Sequence, residues 1–359
     1  MSEVSEPRAV FGAAAMAGDG NHQSRAAGRT RLSATEKERA AIRERRMRVA
    51  KLELRPGDRA IYYLLLGLIH LLSLIPDFLL YPLGVAGGWL AYVLDRRHVR
   101  IGIRNLEIAF PERDAAERRR ILRASYINLG RGAAEYIRLG GFFYRRLTRR
   151  VRYVRLDYLN DIIARGAGRG VLILSAHFGN FELLAPAHAM YGHQIGLVHH
   201  TQRFLAGDAL TTFVRKRAGV TVIRKHAAAR PVLKALRRGE SIGIPFDQNA
   251  KRSEAVFVPF FSEMAATASG LARLVAISGA PVVPVYLVRD PSMRTHRIEI
   301  YDEIPVQRSD DAAADILENT RRFMHALEEV VRRYPEQFLW THRRYRTRPR
   351  GMPPIYDLK

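Results

Sequence analysis

The stretch VLILSAHFGNFE, residues 171–182, decides how the chain is to be read. VLILSA is an apolar run of buried-strand length, and His177 emerges at its carboxyl end. In open α/β sheets, ligands bind at that edge. Gly179 permits a sharp turn, and Asn180 is a good N-cap for a helix beginning FELLAPAHAM. Glu182 then falls in the first helical turn, where the helix dipole favours its charge. Across such an elbow, a five-residue separation folds the carboxylate back toward the imidazole. The spacing predicts His177 as a base with Glu182 as its partner. The carboxylate would fix the ring's orientation and tautomer and stabilise the imidazolium. H-x4-E alone also fits a hydrogen-bonded structural histidine followed by an ordinary first-turn glutamate.

Outward from this elbow, short β-branched runs alternate with helical stretches. Strands are expected at 171–175, 195–199, 220–223, 241–245, 282–288 and 297–301. Helices are expected at 112–139, 181–190, 209–217, 228–238, 269–277 and 313–334. Alternation of this kind predicts an α/β fold, a sheet with helices on both faces. Phe257, Phe260 and Phe261 read as core or as the wall of an apolar pocket. His193, His199 and His200 read as ordinary strand and loop histidines.

Ahead of this body, AIYYLLLGLIHLLSLIPDFLLYPLGVAGGWLAYVL (residues 60–94) has only His70 and Asp77 as acid–base groups titrating below pH 8. A perpendicular span needs roughly 20 apolar residues. Pro76–Asp77 divides the run into pieces of 16 and 17 residues, so it either crosses the bilayer or lies in it as a hairpin. The expectation is a membrane anchor over residues 60–95, with a buried helical hairpin as the alternative. Residues 1–59 form an Ala-, Gly- and Ser-rich, then charged, N-terminal tail expected to be disordered in its first half. Residues 100–350 are expected to form one catalytic domain.

Composition limits the chemistry. There are no cysteines, which excludes disulfides, thiolate zinc sites and a cysteine nucleophile. The formal charge of +24 draws the protein toward a polyanion: nucleic acid, an anionic membrane, or an acidic substrate or carrier. No H-E-x-x-H, G-x-S-x-G, P-loop or G-x-G-x-x-G occurs, so no metal, nucleophilic serine or nucleotide site is expected. No nucleic-acid-binding module can be recognised either. A His–carboxylate pair without a nucleophile suits direct transfer, in which the base deprotonates an acceptor hydroxyl that attacks a bound acyl group.

Four further stretches flank the elbow: RIGIRNLEIAFPE (100–112), GIPFDQNAKRSEAVFVPFFSEMAAT (243–267), GAPVVPVYL (279–287) and PEQFLWTHRRYRTRP (335–349). With HFGNFE, their order resembles the late acyltransferases of lipid A biosynthesis, the lauroyl/myristoyl transferases, over residues 60–349. That family is similar in turn to glycerolipid acyltransferases, which implies a central mixed sheet flanked by helices. The resemblance implies His177 as general base with Glu182. It places Arg224, in GVTVIRK, on a phosphate, and Asp247 and Gln248 against the acceptor. It implies an acyl-carrier-protein thioester as donor, a hydroxyl of a lipid A precursor as acceptor, membrane lipids as surroundings, and no metal or organic cofactor. The location implied is the bacterial inner membrane, with the catalytic domain on its cytoplasmic face. HHTQRFLAGD (199–208) departs from the family pattern, which leaves another glycolipid acceptor, such as a phosphatidylinositol mannoside, open.

Overall fold

The computed structural model describes residues 54–166, 168–291 and 295–356; the expectations for residues 1–53 lie outside them. A seven-stranded mixed sheet, in the order β1-β9-β8-β2-β5-β3-β4, carries the body. Its strands are β1 (Val151–Val154), β2 (Val171–Ser175), β3 (Ile195–His199), β4 (Thr221–Arg224), β5 (Ser241–Pro245), β8 (Val282–Arg289) and β9 (His296–Ile300). Strands β8, β2, β5, β3 and β4 run parallel, β9 is antiparallel to β8, and β1 pairs parallel with β9. A separate antiparallel hairpin is built from β6 (Ala255–Phe260) and β7 (Glu263–Ala268).

Successive side chains along a strand point to opposite faces, and both faces here are covered. On β2, Leu172 and Leu174 enter one core, while Val171 and Ile173 enter the other. The first face packs under α3 (Arg96–Ala109), α4 (Ala115–Gly140), α8 (Ala229–Leu236), α9 (Gly270–Ser278) and α10 (Ala312–Arg333). The second packs under α5 (Leu156–Arg165), α6 (Phe181–Met190) and α7 (Leu205–Arg217). Burial on both faces is why these strands read as continuous apolar runs.

The apolar segment forms two helices, α1 (Pro56–Leu72) and α2 (Asp77–Leu94). Among the described residues, α2 is the one helix long and apolar enough to cross a membrane, by length and composition. It packs on α4 through glycines: a Cβ on Gly88 would stand 2.4 Å from the Tyr126 carbonyl oxygen. The remaining surface is apolar and uncovered, with Leu64, Phe78 and Leu94 each about 70% exposed. Asp77, at the bend between the helices, is ion-paired to Arg138 and Arg150.

Four elements go beyond the expected set. Helices at 96–109 and 156–165 were not expected, nor were β1 and the β6–β7 hairpin. The β6–β7 segment contains Pro259, which breaks a strand pattern, yet the proline is tolerated in this two-stranded hairpin.

Candidate functional site

β2 ends at Ser175 and β5 at Pro245, and the two residues are paired in parallel register. Two residues further along each chain stand His177 and Asp247. The Asp247 carboxylate accepts from the His177 backbone N–H at 3.1 Å and lies 2.9 Å from Nδ1. Asp247 is 2% exposed, whereas His177 opens to the cleft. The ring is held on its other side by Phe181, edge-to-face at 4.8 Å. Burial pulls the His177 pKa down, but the charge and hydrogen bond of Asp247, with Glu182 adding to them, leave it above the ordinary histidine value. Burial pushes Asp247 up, and His177 together with its backbone N–H holds it below the usual carboxylate range. A deprotonated carboxylate therefore faces Nδ1, which fixes Nδ1 as the protonated nitrogen and leaves Nε2 as the basic one.

The partner expected from spacing is not the one formed. Glu182 lies in the first turn of α6 as expected, but it accepts a bidentate pair from Arg215 of α7, with Nη2 at 3.0 and 2.9 Å from the two oxygens. No hydrogen bond joins Glu182 to His177 among the described contacts; it acts on the ring through its charge. Helix α6 points the side chain away from the strand end and across to α7, where a guanidinium meets it.

Arg215 begins a chain of contacts. Its Nη1 lies 2.9 Å from His199 Nδ1, His199 Nε2 lies 2.6 Å from Asp208, and Arg224 Nη1 donates to the other Asp208 oxygen at 2.6 Å. Arg224 also donates to Thr201, and its Nη2 is buried without a hydrogen-bond partner. Burial raises the Asp208 pKa, but His199 and Arg224 outweigh it and hold the value at about 2. His199 is thus a member of a buried ionic network. Asp208 lies outside the expected helix because that helix starts four residues earlier than its apolar pattern shows; Arg215 lies within it, but its partners Glu182 and His199 are 33 and 16 residues away, beyond what local spacing reports.

The resemblance set Asp247 against the acceptor; the structure buries it behind His177, and the exposed Gln248 stands at the mouth, its amide 3.3 Å from His177 Nε2. The turn 177–180 is clamped from three sides. Gly179, at φ +59°, donates to the Gln337 carbonyl at 2.8 Å, and a Cβ there would lie 1.8 Å from the Leu287 carbonyl oxygen. Leu339 N–H donates to the His177 carbonyl at 3.1 Å. Asn180 caps α6 and donates to Glu135 at 2.6 Å; Glu135 is fully buried against Arg289 and His296. The segment 335–349 is therefore a brace for the site: Gln337 and Leu339 hold the turn, while Arg344, 3% exposed, is bonded to the backbone of β7. Phe260 and Phe261 are core.

A family model for the bacterial lipid A biosynthesis acyltransferases matches residues 49–347. The chain belongs to that family. It is 31% identical over 293 residues to a lipid A biosynthesis lauroyltransferase of Escherichia coli K12, covering 81% of this chain and 93% of that protein. A lipid A biosynthesis palmitoleoyltransferase from the same strain is 28% identical over 294 residues, covering 81% and 92%. A lipid A biosynthesis acyltransferase of Haemophilus influenzae is 27% identical over 288 residues, covering 79% and 89%. Membership of the lipid A acyltransferase family makes the protein an acyltransferase.

Proposed function

We propose that the protein is a membrane-bound O-acyltransferase that moves a fatty acyl chain from an acyl-carrier-protein thioester to a hydroxyl of a lipid A precursor. The observation that carries this is the His177–Asp247 pair at the mouth of an apolar cleft, with no nucleophilic side chain in the pair.

In this mechanism, Nε2 of His177 takes the proton from the acceptor hydroxyl as its oxygen attacks the thioester carbonyl. Asp247, held on Nδ1–H, stabilises the imidazolium that results. The tetrahedral intermediate carries an oxyanion, and the Arg215 guanidinium lines the same cleft as His177. Glu182 and His199 hold that guanidinium in place, so Glu182 serves the reaction through Arg215 as well as through its charge on the ring. Collapse breaks the carbon–sulfur bond, and the departing thiolate takes the proton back from His177. The products are the acyl ester and the free carrier thiol. Arg224, whose side chain is 18% exposed, would meet a phosphate of the acceptor, and Gln248 would face the acceptor at the mouth.

The exposed apolar face of α1 and α2 seats the enzyme in the inner membrane, where such an acceptor resides, with the catalytic domain on the cytoplasmic side where carrier thioesters are made. An uncovered apolar surface of this extent is a membrane or partner surface in most proteins. The test is acyl transfer by the purified protein with carrier-protein thioesters and lipid A precursors. His177→Ala is expected to lower the rate on the order of 10²–10⁴-fold. Failure of the wild-type protein with every donor would end the proposal.

A further inference from the structure

Beneath His177 a narrow cavity of about 50 Å³ runs between the sheet and α6. Ile173, Leu197 and Gly243 form much of its sheet wall, and Phe181, Leu184 and Ala185 its helix wall. Gly243 is in register with Ile173 on one side and Leu197 on the other, so its missing side chain leaves a trough in the middle of the sheet face. Pro186, inside α6, has no N–H for the Glu182 carbonyl, so the turn over the trough is held by one hydrogen bond fewer. The wall facing the trough is the part of the core best placed to yield to a ligand.

The far end does not share this character. His188 lines it, 3% exposed, with Nδ1 2.6 Å from the Tyr153 hydroxyl and its ring stacked on His193 at 4.5 Å. Its Nε2 is buried and has no hydrogen-bond partner. Burial first, and His193 second, bring its pKa down to about 3, so the ring is neutral. A buried polar nitrogen left unpaired is destabilising, so packing alone gives no reason to end an apolar slot on one. From Phe181 to His188 the helix rises about 10 Å, which sets the depth of the slot.

We propose that this slot takes the donor's fatty acyl chain, and that His188, held by Tyr153 and His193, is the floor that limits its length. The proposal rests on the acyl-transfer reading above. Carbonyl and sulfur remain at the mouth beside His177 while the methyl end descends between Gly243 and Ala185. A methylene pressed against the floor meets a polar ring that gains no hydrogen bond from it, and the two partners of His188 prevent it from turning aside.

The experiment measures transfer by the full-length enzyme from carrier-protein thioesters of graded chain length to one acceptor, and separately from one donor to acceptors differing in acyl length. His188→Ala is expected to lengthen the preferred donor. The rate ratio of longer to shorter donor should rise about tenfold or more, the scale of one methylene in an apolar pocket, with acceptor preference unchanged. Gly243→Ala, which places a Cβ 3.1 Å from the Leu197 side chain, fills the trough and is expected to penalise long donors while sparing short ones. If His188→Ala folds poorly, the Gly243→Ala profile decides the matter. An unchanged donor profile in the folded variants, or a shift in acceptor preference instead, overturns the proposal. Wild-type inactivity with every donor would sink the acyl-transfer reading itself, and would be seen before any variant was made.

Discussion

Asp247 reaches His177 because each stands two residues past the end of its strand, and the parallel pairing of Ser175 with Pro245 sets the two side by side. The Oδ1–Nδ1 distance of 2.9 Å then follows from backbone register and needs no flexible loop. A histidine–carboxylate pair built on two adjacent strands is rigid, since the tautomer and aim of its ring are set by the sheet.

Glu182 has a different task, and its variants should show it. Glu182→Gln removes the charge that orients Arg215 but leaves Asp247 on the imidazole. It is expected to lower kcat while the acid limb of the pH profile moves little, and Glu182→Asp should recover part of the rate. A Glu182→Gln enzyme with full kcat would reduce the residue to an ordinary helix-start glutamate.

Acid should unfold the protein through its neutral buried histidines. The His188 pKa is lowered to about 3 and that of His342 to about 4, burial being the first cause for both. Each is neutral in the fold and takes up a proton on unfolding below about 6.5, so its contribution to stability is present above that pH and lost as pH falls toward the folded value. His177, whose pKa is raised, works in the opposite sense: its contribution is present below about 6.5 and lost as pH rises through the folded value. Below pH 6.5 the His177 contribution is already complete, so between pH 6.5 and 4 the two losses act unopposed and melting temperature should fall. His188→Gln should flatten that slope, as followed by thermal melts across the range. An identical slope in the variant would contradict it.

Glu135 is the buried carboxylate on which several elements converge. It accepts from Arg289, His296, Asn180 and Tyr81. Burial raises its pKa, but His296 and Arg289 hold it far below the usual carboxylate range. Glu135→Ala leaves a buried guanidinium without its carboxylate, and is expected to cost about 3–5 kcal/mol in stability, read by denaturant titration. A loss under about 1 kcal/mol, the scale of a surface pair, would show that the network relaxes without it.

High salt should leave the protein in the membrane fraction, and detergent should release it. Salt screens charges but leaves apolar insertion intact, and the uncovered face of α1 and α2 is apolar. Quantitative release by salt would assign attachment to the basic surface instead.

How much of this was legible in the sequence depended on distance along the chain. The β2 strand, the α6 helix, the Asn180 cap and the glycine turn all lie within a single 20-residue window, and the local pattern sets each of them. β1 escaped notice because VRYV is only four residues long with an arginine inside it. The His177–Asp247 pair spans 70 residues, and nothing in the spacing says that β5 neighbours β2. One signal was available: two apolar runs, VLILS and SIGIP, are each followed at the second position by a group able to exchange a proton. Spacing points to Glu182 and not to Asp247 because a local pattern reports nearness in sequence, whereas the pair forms across two strands.

The most direct measurement is the pH dependence of kcat/KM for Asp247→Asn beside the wild-type enzyme, with a carrier-protein thioester and a lipid A precursor. In the wild type, Asp247 lifts the His177 pKa, so the rate should climb with pH through a limb above about 6.5, the ordinary histidine value. In Asp247→Asn the carboxylate's lift is gone and burial becomes the leading influence, so the limb should move to lower pH. The plateau should also drop on the order of 10²–10⁴-fold as the imidazolium loses its stabilising charge. A variant with a wild-type plateau and an unmoved limb would contradict the assignment of His177 and Asp247 as the working pair.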